Sequence, residues 1–229
     1  GLTVATLLGV PAGAWLGLVQ ALMKMEPKDS GERYRIRDQA VTASYIAYQL
    51  TQSRAEEAQA LALMGEAYAK DEVWRPALNA YRASLERGDN PAVRSSYQSL
   101  REKYGFRVQE EEAYKVDSDS ANPRVCIRFT ESLQRGKVDF APFVSVSGAS
   151  NIDVQPDDQQ LCVDGLKHGE RYTVTVRQGL PSDVGEQLLK TQSYDIYVRD
   201  RSPQVRFPGK TYVLPRVGQA GLLQVAERL

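Results

Sequence analysis

The hydrophobic period of this chain changes near its midpoint, and this change limits the folds that the chain can adopt. Up to about Gly105 the sequence is rich in alanine, and its apolar residues recur at the three- and four-residue steps of amphipathic helices. From Asn122 onward, short alternating stretches bounded by Gly, Pro, Asn and Asp are typical of β-strands. The sequence therefore predicts an α+β chain, with helices first and an antiparallel, immunoglobulin-like β-sandwich second.

The helical half contains an internal repeat that resembles the tetratricopeptide (TPR) pattern. In that pattern small residues let two antiparallel helices approach, and aromatic residues fill the gaps between them. The residues predicted to make this packing are Leu61, Met64, Gly65, Tyr68, Trp74, Ala77 and Tyr81. Two such repeats would form a shallow concave face, so we expect this region to act as a spacer or docking unit.

A partial earlier copy of the repeat precedes the first pattern. Ser44 and Tyr48 have the spacing of Ala77 and Tyr81 and lie 33 residues earlier, close to the TPR period of about 34 residues. The first helix of this earlier copy is expected to pack through Trp15, Leu18 and Leu22.

Capping residues set the helix boundaries. Asn90 before Pro91 is typical of a helix start, and Gly88 and Gly105 are typical of helix ends. Pro27 and Gly31 predict a longer connector over Glu26–Arg33. The predicted helices are Ala12–Met25, Glu32–Thr51, Arg54–Lys70, Val73–Arg87 and Pro91–Tyr104.

Residues 2–23 contain no charged side chain, which leaves two interpretations open. The stretch is long enough to cross a bilayer, so it could be a signal or anchor segment. However, it contains Pro11 and several glycines, and no basic segment precedes it. We therefore favour a buried repeat helix.

The two cysteines, Cys126 and Cys162, lie in two different predicted strands. In an exported protein such a pair is expected to form a disulfide. In a reducing cytosol the same residues would be two buried thiols.

Composition argues against several kinds of chemistry. Lysine plus arginine and aspartate plus glutamate each total 29, so no basic excess favours nucleic acid binding. The chain has one histidine, His168, which we predict to be an exposed turn residue rather than a base or a metal ligand. We expect neither enzymatic activity nor a cofactor.

The acidic runs at Glu110–Glu112 and Asp117–Ser120 are interpreted as solvated surface, with calcium binding as the alternative. Arg199–Arg201 is expected to form an ion pair between domains, with docking of a partner carboxylate as the alternative.

From about Ala40 onward the chain resembles the N-terminal region of bacterial α2-macroglobulin-family proteins that carry helical repeats before the first macroglobulin domain. Six passages in the expected order carry the resemblance: Glu72–Leu85, Tyr104–Val108, Pro123–Phe129, Asp139–Val144, Gln160–Gly169 and Asp195–Arg201.

The resemblance implies a periplasmic protease trap associated with the inner membrane, whose partners are proteases that the full-length protein meets. Such proteins carry a bait region that proteases cut, and many carry a Cys-x-x-Glu-Gln-type thioester. Neither is identifiable in this sequence, and Cys126 and Cys162 are not followed by that motif. A periplasmic location would favour the Cys126–Cys162 disulfide, because that compartment is oxidising.

The resemblance also implies a domain organisation. Residues 1–105 would form the TPR-like region, 106–121 a first strand and linker, 122–201 a macroglobulin-type sandwich, and 202–229 a truncated start of the next macroglobulin domain. We expect an N-terminal scaffold fragment of an endopeptidase inhibitor. The alternative is a free-standing periplasmic adaptor that binds a protein or peptide partner through its TPR-like region.

Overall fold

The structure, a computed structural model, describes residues 9–202, 204–205 and 226–227. The chain divides into two compact units, a helical unit (Gly1–Gly105) and a β unit (Phe106–Leu229). The helices and the antiparallel sheets make the chain α+β, as the sequence predicts. Residues 202–229, predicted as the start of a further domain, lie mostly outside the described residues, as do residues 2–8 of the uncharged N-terminal stretch.

Helices account for most of the described part of the first unit. Each predicted helix is confirmed, and the ends differ from the prediction by no more than about two residues, the usual uncertainty of a helix boundary. The helices are α1 (Ala12–Lys24), α2 (Ser30–Gln49), α3 (Arg54–Lys70), α4 (Trp74–Arg87) and α5 (Pro91–Tyr104).

Side-chain caps explain where the helices begin. The Asp29 carboxylate accepts a hydrogen bond from the Glu32 backbone N–H at 2.7 Å, so α2 starts at Ser30 and the preceding connector is shorter than predicted. Asn90 caps α5 as predicted, because its side-chain oxygen accepts from the Ala92 N–H at 3.0 Å and Pro91 occupies the first helical position.

The buried face of α1 differs from the predicted one. Leu16, Val19 and Leu22 are buried, whereas Leu18 is 43% exposed. The prediction that Leu18 packs in the repeat was therefore wrong. Leu18 lies two positions after Leu16 and one before Val19, so the helical period of 3.6 residues carries it away from the buried stripe.

Helices α3 and α4 approach closely through a glycine. A Cβ atom placed on Gly65 would lie 2.6 Å from Tyr81 Cδ1, well inside van der Waals contact. The Ser84 hydroxyl on α4 donates to the Ala58 carbonyl oxygen on α3 at 2.7 Å, and Ser84 is almost fully buried. The absence of a side chain at Gly65 thus sets the distance between these two helices.

Nine strands occur in the described part of the β unit. They are β1 (Tyr114–Asp117), β2 (Arg124–Arg128), β3 (Val144–Ser147), β4 (Asp153–Asp157), β5 (Gln160–Asp164), β6 (Arg171–Val176), β7 (Gln192–Tyr197), β8 (Gln204–Val205) and β9 (Ala226–Glu227). Every pairing among them is antiparallel. The strand orders are β1-β2-β5-β4 in one sheet, β3-β6-β7 in a second, and β8-β9 in a third.

One hydrophobic core receives side chains from both of the larger sheets. Val125 and Ile127 of β2 and Leu161 of β5 are buried in the same cluster as Val174 of β6 and Ile196 of β7. The segment 106–121, predicted as a first strand and linker, contributes buried Phe106 and Val108 to this core and strand β1 to the first sheet.

Replacement of Gly65 by alanine is expected to destabilise the helical unit by about 1–3 kcal/mol, because the new methyl group would overlap the Tyr81 ring. The free energy of unfolding can be measured by urea denaturation followed by tryptophan fluorescence, since Trp15 and Trp74 are the two tryptophans and both lie in this unit.

The matched control is Gly17→Ala on α1, where no atom lies within 4 Å of the added Cβ. This change should be neutral or should stabilise the helix by roughly 0.5–1 kcal/mol, because alanine has the higher helix propensity. Equal effects at the two positions would contradict the proposed Gly65–Tyr81 contact.

Candidate functional site

The sequence-predicted repeat-packing residues fall into three groups of exposure. Those in the first group are buried: Leu61, Met64, Gly65, Ala77 and Tyr81. Trp15, Tyr48, Tyr68 and Trp74 are half-buried, and Leu18 is exposed. Trp15 and Tyr48 both pack against a small buried cluster formed by Leu16, Ala47 and Ala60. The structure therefore brings the aromatic residues of the earlier copy together on α1 and α2.

Trp74 has a different role from the other aromatic residues, because it contacts the last helix of the unit. Its ring stacks on that of Tyr104, with ring centroids 3.9 Å apart and planes inclined by 4°. Lys103 Nζ lies 5.0 Å from the Tyr104 ring centroid, which adds a cation–π contact. The stack joins the start of α4 to the end of α5.

Burial determines the ionisation of Tyr81. Desolvation of its phenol, together with a smaller contribution from the nearby Glu66 carboxylate, raises the pKa of Tyr81 to about 12. Burial disfavours the ionised phenolate, and the ring of Tyr81 packs against Gly65.

A disulfide joins Cys126 and Cys162 across the two central strands of the four-stranded sheet. The two residues are direct cross-strand partners in the β2–β5 register. Their neighbours Val125 and Val163 point into the core, so the alternation of a strand puts the cysteines on the opposite face of the sheet. Cys162 is nevertheless only 2% exposed.

An ion pair lies next to the disulfide on the same two strands. Arg124 Nε and Nη2 donate to the two carboxylate oxygens of Asp164 at 2.7 Å each, a bidentate geometry. The hydrogen bond and the charge of Asp164 raise the pKa of the Arg124 guanidinium above its already high value. The outer face of β2 and β5 is thus held by a covalent bond and an adjacent ion pair.

The loops at one end of the β unit are joined by further polar contacts. His168 Nε2 lies 3.0 Å from the Ser118 carbonyl oxygen and donates to it, and His168 is half-buried rather than exposed as predicted. Arg199 Nη2 donates to the Asp119 carboxylate at 2.6 Å, and Arg201 Nε donates to the Asp119 carbonyl oxygen at 3.2 Å. The prediction that Arg199–Arg201 pairs between domains was wrong, because both contacts lie within the β unit.

The structure also shows a buried carboxylate that the sequence gave no reason to single out. Glu186 is 3% exposed and accepts a hydrogen bond from the Phe106 backbone N–H at 2.7 Å. A glutamate between Gly185 and Gln187 in a loop carries no pattern that predicts burial.

A polar cavity of about 580 Å³ opens beside the Arg124–Asp164 pair and is also lined by Asp117, Ser120 and Asn122. Arg124 and Asp164 neutralise each other, so the guanidinium of this cavity is already engaged by a carboxylate of the protein. Within residues 9–202, no group of three or more His, Cys, Asp or Glu side chains is arranged to hold a metal ion.

A second cavity, of about 270 Å³, lies in the helical unit where α1 ends and α2 begins. Sequence reasoning missed it, although the uncharged stretch ends there at Met23 and basic residues follow. None of the helices within the described residues combines the length and the apolar character needed to span a membrane.

No protein-family model matches the sequence, and no curated protein matches it either. Two solved structures are similar to parts of the chain, and both are bacterial α2-macroglobulins, the family that the six passages resemble. The first is a mutant of the Salmonella protein, with 20% identity over 50% of this chain and 8% of that chain, and a TM-score of 0.37.

The second is native α2-macroglobulin from Escherichia coli, in a structure that spans domains MG0, NIE and MG1. It is 14% identical over 45% of this chain and 35% of that chain, also with a TM-score of 0.37. The chain spans well under two thirds of the length of either structure. Because such TM-scores do not define a common fold, the function proposed below rests on the residues and contacts of this chain.

Reduction of the disulfide is expected to destabilise the β unit by about 3–4 kcal/mol, because the unfolded chain regains the entropy of an open loop. Intact mass should rise by two hydrogens on reduction, and urea denaturation followed by circular dichroism should show the loss of stability. In the control variant Cys126→Ala/Cys162→Ala, reductant should change nothing. An unchanged transition in fully reduced wild-type protein would contradict this role of the disulfide.

The Arg199–Asp119 contact predicts a measurable acid dependence. The hydrogen bond from Arg199 is the largest cause that lowers the pKa of Asp119, so the ionised carboxylate is favoured in the folded state. Its contribution to stability is present above the unfolded pKa, about 3.9, and is lost as the pH falls through the lower folded value.

Arg199→Gln should therefore raise the pKa of Asp119 towards its ordinary value, as followed by NMR titration of the carboxyl carbon. Arg201→Gln is the matched control, because Arg201 contacts only the Asp119 backbone oxygen and should leave the pKa nearly unchanged. A larger shift in the Arg201 variant would contradict the assignment.

Proposed function

We propose that this chain is the N-terminal scaffold of a bacterial α2-macroglobulin-like endopeptidase inhibitor that acts in the periplasm. In this proposal the helical unit is a TPR-like repeat region, and the β unit is the first macroglobulin domain, an immunoglobulin-like sandwich. The chain is not an enzyme, and its partners are the proteases that the whole protein meets through regions other than this one.

The strand orders support the immunoglobulin-like assignment. The constant-type immunoglobulin sandwich places its first, second, fifth and fourth strands in one sheet and its third, sixth and seventh strands in the other. The orders β1-β2-β5-β4 and β3-β6-β7 follow that arrangement strand by strand. The disulfide differs from the antibody one, because it joins the second and fifth strands within a sheet rather than two strands of different sheets.

The packing of small residues supports the TPR-like assignment. Ser44 on α2 and Ala77 on α4 hold equivalent repeat positions, and neither has any exposed surface. Each is followed four positions later by a tyrosine, Tyr48 and Tyr81, that is half-buried or buried. The glycine that admits Tyr81, Gly65, occupies the small-residue position of the first helix in the pair.

The disulfide-joined, two-sheet β unit that follows a helical unit is the observation that carries the proposal. A disulfide between central strands favours an oxidising compartment such as the periplasm. The groups that could serve chemistry in this unit, Arg124, His168 and Arg199, each hold strands or loops together instead. These contacts support a structural role for the domain.

The proposal predicts that the full-length gene product slows cleavage of a large protein substrate by a test protease such as trypsin. A small chromogenic peptide should still be cleaved, because a trap blocks access to the protease without occupying its active site. Both rates are measured with equimolar inhibitor and protease.

The matched control is the 229-residue chain alone, which should leave both rates unchanged, since it contains no identifiable bait or thioester motif. Unhindered cleavage of the large substrate by protease mixed with the full-length product would contradict the proposal. Inhibition by the 229-residue chain alone would mean that the inhibitory site lies within this chain. That result would also contradict the proposal.

A further inference from the structure

The cavity of the helical unit has an apolar floor. Its apolar lining, here called the floor, contains the buried side chains of Leu22 at the end of α1 and Ile36 on α2, together with Met23, Met25 and Pro27. Met25 is 51% exposed at the cavity. Methionine side chains are flexible and adapt to differently shaped apolar groups. The floor is therefore suited to an aliphatic side chain.

The ionisable residues that line this cavity are all basic: Arg33, Arg37 and Lys70. Two of them are held by the protein, since Arg37 Nη1 donates to Asp71 at 3.0 Å and Lys70 Nζ donates to the Met23 carbonyl oxygen at 2.6 Å. Arg33 is exposed, and within the described residues its guanidinium makes no hydrogen bond or ion pair. Its five N–H donors remain available for a ligand.

We propose that this cavity binds the C-terminal residue of a peptide partner. An aliphatic side chain enters the apolar floor, and the terminal carboxylate pairs with Arg33 at the rim. A C-terminal residue carries its charge on the backbone, next to the Cα atom, so the charge stays at the mouth while the side chain is buried. An internal Asp or Glu carries its charge at the tip of the side chain and would bring it onto the apolar floor, at a cost in desolvation.

The size of the cavity agrees with this ligand. Its volume of about 270 Å³ lies just below the range of roughly 300–1,000 Å³ that is typical of drug-sized or cofactor-sized ligands. The terminal residue of a chain is a smaller ligand than these. The site goes beyond the scaffold role, and it stands or falls independently of protease inhibition, because its test uses the purified chain and peptides alone.

The test measures fluorescence anisotropy of labelled peptide pools titrated with the 229-residue chain. The pools have randomised internal positions and end in leucine, isoleucine, valine or methionine with a free carboxylate. We expect saturable binding of the free-acid pools. Amidation of the C-terminus should weaken binding about 10-fold or more, because the charged hydrogen bonds to Arg33 are lost. A pool ending in glycine should bind about 10-fold more weakly, since no side chain fills the floor.

Arg33→Ala should weaken binding of the free-acid pools about 10-fold and should have little effect on the amidated pools. The matched control is Arg35→Ala, an exposed arginine of α2 that does not line the cavity, which should change affinity less than about twofold. Thermal denaturation of both variants checks that they remain folded.

Three results would each overturn the proposal: no saturable binding of any free-acid pool, equal affinity for acid and amide, or equal affinity of Arg33→Ala and wild type. A greater loss with Arg35→Ala than with Arg33→Ala would overturn the assignment of Arg33 in the same way.

Discussion

The stability of the β unit depends on its central strands, which carry core side chains on one face and cross-strand links on the other. The inner faces of β2 and β5 carry valine, isoleucine and leucine into a core that both larger sheets share. The outer faces carry the Cys126–Cys162 disulfide and the Arg124–Asp164 pair. Because side chains alternate along a strand, the covalent bond displaces no apolar side chain from the core. A slip of one residue in the β2–β5 register would lose both the core and the disulfide.

The helical unit obtains its packing in a different way, from small residues. Many of its most deeply buried residues are alanines: Ala40, Ala43, Ala47, Ala60, Ala67 and Ala77. Such helices approach closely and gain dispersion contacts between their backbones, but each alanine buries little apolar area. The bulky ring of Tyr81 fits between α3 and α4 because its neighbour Gly65 has no side chain. The spacing of small residues is therefore the property that the fold requires.

Local patterns were enough to predict the helices and the β-strand character of the second half, because caps, breakers and periodicity act over a few residues. Asn90–Pro91 and the two cysteine strands are examples. Strand β4 was missed because Pro156 interrupts its pattern, but β4 lies at the edge of its sheet, where a residue without a backbone N–H is tolerated. The pairing of Arg199 with Asp119 and the burial of Glu186 join residues about 80 positions apart, and no local pattern encodes such contacts.

The two cavities show how the same residue types can serve structure in one place and binding in another. In the β unit the lining cation, Arg124, is neutralised by a carboxylate that lines the same cavity, and the pair holds two strands together. In the helical unit no lining residue is acidic, and the guanidinium of Arg33 has no partner within the described residues. The guanidinium of Arg124 has already replaced hydrating water with a carboxylate of the protein. The guanidinium of Arg33, beside the apolar floor, has no such partner in the described part of the chain and can still bind a carboxylate. Arg124 therefore supports two strands, and the unpaired Arg33 is the group on which the proposed recognition rests.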